Sequence, residues 1–207
     1  MYTPRHFDIK DLGVLDVLFR RDAFVTLVTV DDDGKPFASH LPVLYQRDGE
    51  RVLIRGHWSR ANPQARATQK ALIIVHGPHG YISPTWYTDP QQQVPTWNYA
   101  TAHLSGALTI VDDVDRLQTL VAELAAVYES GDGDGWQFPA SAPSKQGSLR
   151  GIVGFELEAS TIEIKCKFNQ NHPEANRHSA IQALRARGSN DQELADWMEW
   201  LNFGRPL

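Results

Sequence analysis

The stretch AFVTLVTVDDDGKPFASHLPVLYQRDGERVLIRGH, residues 23–57, holds three β-rich runs separated by two turn signals. The run 23–30 is rich in Val and Thr, whose branched side chains suit a pleated surface. DDDGKP (31–36) is turn chemistry, with Gly34 able to take a positive φ. Residues 37–45 form the return strand, where Pro42 marks an edge or a bulge. RDGE (47–50) is a second turn, and 51–57 a third strand. Connections this short join antiparallel neighbours. The fold is therefore expected to begin as a meander.

Outward from it, Asp8 is placed to cap a helix with Ile9, Leu12, Leu15, Leu18 and Phe19 on one side. Pro63 favours a short helix over 63–69. Residues 71–77 and 101–110 read as strands, and the Pro- and aromatic-rich segment 78–100 between them as a long connection. Asp113 caps a helix with the stripe Leu117, Leu120, Val121, Leu124 and Tyr128. SGDGDG (130–135) reads as an acidic loop, and 151–168 as two strands around Ala159-Ser160. Helical patterns follow at 174–187 and 190–202. Hairpins with few helices indicate a closed antiparallel barrel, which hides its edges and can hold a flat ligand at its rim.

The chain has 207 residues, 42% hydrophobic and 22% charged, with a net charge of −5. Length and composition fit one globular domain. The acidic balance argues against coating nucleic acid through the overall field. Cys166 is the single cysteine, so no intramolecular disulfide forms. The N-terminal residues lack the apolar core of a secretory signal, and no apolar run is long enough to span a bilayer. A reducing, cytoplasmic setting is expected. No strand is followed by G-x-G-x-x-G, so a dinucleotide fold is not indicated. His76 and His79 have no third ligand nearby, so no metal site is expected.

LIRGHWSRANPQ (53–64) loads the exit of a buried strand with Arg55, His57, Ser59, Arg60 and Asn62. Solvated arginines on a surface turn explain it as well as an anion site does. The anion reading has a physical basis: guanidiniums grip phosphate in two-pronged fashion, and a hydroxyl and a capped helix start add donors. Trp97, Asn98 and Tyr99 are candidates for a platform and edge reader of an aromatic ring. Lys165, Lys167 and Gln170 end the last strand. From Lys165 to Arg187 there are five Lys or Arg against one Glu. A solvated face, the completion of a phosphate pocket or contact with a nucleic acid fits that run.

MYTPRHF, ASHLPVL, LIRGHWSRANPQ, GPHGYISPTWY, VPTWNYATAH and IVGFELEASTIEIKCKFNQN occur in this order. Together they resemble the PaiB-like family of FMN-binding negative transcriptional regulators, from residue 1 to about 187. The resemblance implies a mainly β fold with peripheral helices, a six-stranded antiparallel split barrel like that of pyridoxamine-phosphate oxidase. It implies a homodimer with FMN at the subunit interface and phosphate contacts on RGHWSRANP. The expected organisation is a split-barrel domain over 1–170 with a helical extension over 171–207. Cofactor contacts are expected from Arg55, His57, Ser59, Arg60, Asn62, Trp97, Asn98 and Tyr99, and from Lys165, Lys167 and Gln170 across the dimer. Residues 188–207 match no family motif, and no basic recognition helix supports direct DNA contact. The alternative functions are a flavin oxidoreductase using NAD(P)H or a small redox partner, and a haem-binding split barrel.

Overall fold

The structure is a computed structural model that describes residues 1–66, 69–129, 136–139 and 143–207. The strands are β1 (Asp8–Ile9), β2 (Phe24–Val30), β3 (Pro36–Pro42), β4 (Leu44–Asp48), β5 (Arg51–Ser59), β6 (Gln69–Ile82), β7 (Thr96–Val111) and β8 (Ile152–Lys167). The helices are α1 (Gly13–Arg21), α2 (Val114–Glu129), α3 (Pro143–Arg150), α4 (Glu174–Arg185) and α5 (Ser189–Phe203). They form an eight-stranded sheet in the order β3-β2-β6-β7-β8-β5-β4, with β1 paired to β8. The strand pairings with a defined register among the described residues, such as Leu27 opposite Ser39 and His57 opposite Gly154, are antiparallel. The mainly β, antiparallel class is as expected, but the described residues form eight strands and not six.

Two compact units share this chain. Unit 1 contains Met1–Arg21, His76–Ala102 and Glu163–Leu207; unit 2 contains Asp22–Val75 and His103–Ile162. In unit 2, the β2–β3 hairpin turns at Gly34 (φ 79°), and the β4–β5 hairpin at Gly49 (φ 60°). Val25, Leu27, Val52, Ile54, Ile73, Leu104, Phe155 and Leu157 fill its core. The first turn of α2 is capped by the Asp113 carboxylate, which accepts from the Arg116 N–H at 2.9 Å. Its Leu120 and Leu124 pack with Leu44. In unit 1, Leu15 and Leu18 of α1 are fully buried, as are Ile181 and Leu184 of α4 and Leu194 and Met198 of α5.

Four local expectations change. Residues 61–66 form turns and not a helix, because Asn62 and Gln64 spend their amides on β2 and β3. Asp8 and Ile9 join β8 as a short strand, and α1 starts at Gly13, whose N–H is taken by the Asp11 carboxylate at 2.8 Å. β6 continues through Gly77, Pro78 and Gly80, where a connection was expected. β8 is one strand and not two, and the Ser160 hydroxyl donates to the Ser105 carbonyl at 3.0 Å. The expected acidic loop 130–135 lies outside the described residues.

Candidate functional site

Alternation sorts β5 first. Val52, Ile54, Gly56 and Trp58 point into the core, which leaves Arg55, His57 and Ser59 on the opposite face. Arg55 spends its charge on Glu123 of α2, at 2.7 Å. The His57 ring is largely enclosed, and its Nδ1 has no hydrogen-bond partner among the described residues. Burial holds its pKa below the ordinary value. Ser59 is exposed, its hydroxyl oxygen 3.4 Å from the Ala61 N–H.

Beyond β5 the chain is pinned. Both guanidinium amino groups of Arg60 bond the carboxylate of Asp112, one of them to Oδ2 at 3.1 Å. The same guanidinium donates to the carbonyls of Arg150 (2.8 Å) and Ile152 (3.0 Å). Asn62 donates to the Ser39 hydroxyl at 2.9 Å and accepts from the Gln64 N–H at 2.9 Å. The Gln64 side chain, 2% exposed, donates to Leu27 O (3.3 Å), Thr29 Oγ1 (3.0 Å) and Phe37 O (3.1 Å). A buried amide nitrogen bonded in this way fixes the loop to the β2–β3 hairpin.

Thr29 has a second role. With Val28, Val30, Lys70, Ala107 and Ser160 it lines an open cleft of about 640 Å³ on β2, β6, β7 and β8. The lining is mainly apolar, and Lys70 is its cation. Arg66, exposed, lies two residues beyond Gln64. Neither Arg66 nor Lys70 stands out in the sequence, where 63–69 reads as a short helix opened by Pro63. A smaller cavity of about 250 Å³ under α2 takes Arg55, but it also holds Arg116 and Glu156, which pair at 2.6 Å.

The remaining candidates lie in unit 1. Trp97 is 55% exposed, whereas Asn98 is 0% exposed and donates its amide to the Met198 sulfur at 3.4 Å. The period of two puts Trp97 and Tyr99 on one face and Asn98 on the other. Lys165, 8% exposed, donates to the Tyr2 carbonyl at 3.1 Å and lies 5.1 Å from the Tyr99 ring centroid. Lys167 bonds the Thr96 hydroxyl. Gln170 closes a tight corner, donating to Cys166 O at 2.6 Å and accepting from the Phe168 N–H at 2.7 Å. The corner carries Asn169 at φ 64°. The expected contacts thus divide into a β5-exit group in unit 2 and an aromatic–lysine group in unit 1.

A family profile described as "Putative FMN-binding domain" matches residues 1–161. The chain is also 30% identical over 203 residues to the "Protease synthase and sporulation protein PAI 2" of Bacillus subtilis, covering 96% of this chain and 97% of that one. The chain belongs to this FMN-binding, PaiB-like family. An uncharacterized yeast protein is 30% identical over 149 residues, 60% of this chain and 88% of its own. Among solved structures, an FAD and heme binding protein from Mycobacterium smegmatis superposes with a TM-score of 0.57 at 19% identity, over 77% of this chain and 73% of that one. A flavocytochrome from Azotobacter vinelandii gives 0.57 at 14% identity, over 80% and 72%. These likenesses show the fold, which is of the split-barrel class. FMN is the family's cofactor. No helix among the described residues is long and apolar enough to cross a membrane.

Proposed function

We propose that unit 2 holds FMN, with the ring system in the cleft of β2, β6, β7 and β8 and the phosphate at the segment that follows β5. The supporting observation is Thr29, which lines the cleft and also anchors Gln64 of that segment. The cleft offers what a flavin ring needs: small and branched apolar residues, with hydroxyls in the lining. Ser59, Arg66 and Lys70 offer donors of phosphate chemistry, and Asn62 pins the loop that follows Ser59. Bound flavin supplies a reversible two-electron acceptor. The test is a titration of the purified chain with FMN, followed by flavin absorption and fluorescence. Saturable binding that weakens in a Lys70→Met or Ala107→Trp variant supports this site. Unchanged binding in both removes it.

We infer further that the chain works as a cytoplasmic homodimer and as a PaiB-type negative regulator. Phe24 and Val30 of β2 are 52% and 55% exposed, and Phe37 of β3 is also exposed. Exposed apolar side chains on neighbouring strands are what a second copy would cover. Light scattering should give a mass near twice 23.2 kDa; a monomer across micromolar concentrations would count against it. With a net charge of −5, regulation through the flavin, without tight DNA contact, is the reading supported. A footprint with a steep salt dependence would overturn that part.

A further inference from the structure

Unit 1 carries a group of exposed rings that the flavin reading leaves unused. His79 and Tyr81 stand two residues apart on β6 and so leave the strand on one face. Each ring centroid is 6.2 Å from that of Trp97 on β7, with interplanar angles of 36° for His79 and 73° for Tyr81. Tyr81 is 40% exposed. The near edge-on phenol buttresses the indole without covering it, so an indole face stays open to solvent.

The electrostatics narrow the occupant. Indole and phenol faces carry negative quadrupole charge and attract either cations or electron-poor rings. Two ammonium groups are held on the residues of β7 that flank Trp97 in the chain. Lys167 bonds the hydroxyl of Thr96, next to Trp97 in the chain, and Lys165 lies against Tyr99, two residues on. Both disfavour a cationic ligand by like-charge repulsion. A flat, uncharged, electron-poor ring bearing carbonyl oxygens satisfies both conditions. Its π-system stacks on the indole, and its oxygens meet the positive potential of the lysines.

We propose that His79, Tyr81 and Trp97 form a stacking site for a quinone-type ring. The site goes beyond the FMN reading and shares no residue with it, so it stands or falls separately. The test uses the full chain and menadione, a two-ring quinone, with binding measured by equilibrium dialysis. One saturable site is expected in the wild type. Trp97→Leu should weaken it about tenfold and Tyr81→Ser roughly threefold or more, from the usual worth of a ring pair. Both side chains are exposed, so both variants should fold, as circular dichroism checks. Methyl viologen, a planar dication, should not compete, and FMN should bind Tyr81→Ser as it binds the wild type. The proposal is overturned by absence of saturable menadione binding, by equal binding to the wild type and both variants, or by effective competition from methyl viologen. A parallel loss of FMN in Tyr81→Ser would assign the rings to the flavin instead. Conversion of a dimer to a monomer by Trp97→Leu would assign them to a second copy.

Discussion

Asp112 holds Arg60 with both of its carboxylate oxygens, while two backbone carbonyls take the rest of the guanidinium. The hydrogen bond from Arg60 keeps the Asp112 carboxyl below its ordinary pKa. An arginine with four of its five N–H groups already bonded has little left to offer a phosphate. Arg66 has no side-chain partner among the described residues. We therefore expect Arg60→Ala to change FMN affinity less than about threefold, and Arg66→Ala to weaken it about tenfold or more. Riboflavin, which lacks the phosphate, should bind Arg66→Ala and the wild type alike. If Arg60→Ala loses more FMN affinity than Arg66→Ala, the phosphate sits nearer Arg60 than is proposed here.

Gln64 should matter to the fold as well as to the ligand. Gln64→Ala leaves the carbonyls of Leu27 and Phe37 and the Thr29 hydroxyl without their amide donor. The expected loss is about 1–3 kcal/mol. A urea unfolding midpoint that does not move would show that water replaces the amide at no cost.

Stability should fall on mild acidification. Burial lowers the pKa of His57, and burial followed by the Lys167 charge lowers that of His172. The unfolded chain takes up these protons near the ordinary value of 6.5, and the folded chain only at lower pH. Stability is therefore fully present above that value and is lost as pH falls through the folded values. The thermal midpoint should drop between pH 7.5 and 5.5, and less steeply in His57→Phe. A flat profile would contradict the enclosure of His57.

The Cys166 thiol, fully buried, has its pKa pushed up to about 12. Thiolate is the reactive form. Native protein at pH 8 should resist a disulfide reagent for hours, and the same protein in concentrated urea should react at once. Rapid reaction of the native protein would mean that the corner at 166–170 opens readily.

Glycine substitutions should separate two kinds of position. A Cβ at Gly106 of β7 would lie 2.2 Å from the Glu158 carbonyl oxygen. Gly106→Ala must push backbone from backbone and should cost more than about 2 kcal/mol. At Gly147 of α3 a Cβ meets nothing within 4 Å, and Gly147→Ala should stabilise by up to about 1 kcal/mol. Equal melting temperatures for the two would refute the close approach of β7 and β8.

Signals that act over a few residues were legible. The β2–β3 hairpin follows from its β-branched run and DDDGKP, and α2 from Asp113 and its leucine stripe. The period of two could also have separated Asn98 from its neighbours. Long-range competition was not legible. Pro63 signals a helix start, but carbonyls some 27 to 37 residues away capture Gln64. That His79 and Tyr81 share a strand face was hidden because Gly77, Pro78 and Gly80 read as a break, whereas the neighbouring strands carry β6 straight through them.

Unit 1 draws on three separate stretches of chain and unit 2 on two, and β6, β7 and β8 each contribute residues to both. No single cut of the gene can therefore release either unit as a continuous piece. A fragment ending at Val75 would carry half of β6 and lack every later strand of unit 2. Attempts to tag, split or extend this protein should spare the long strands. The places to open the chain are the Gly34 and Gly49 turns, where the backbone already reverses and a Cβ would meet nothing.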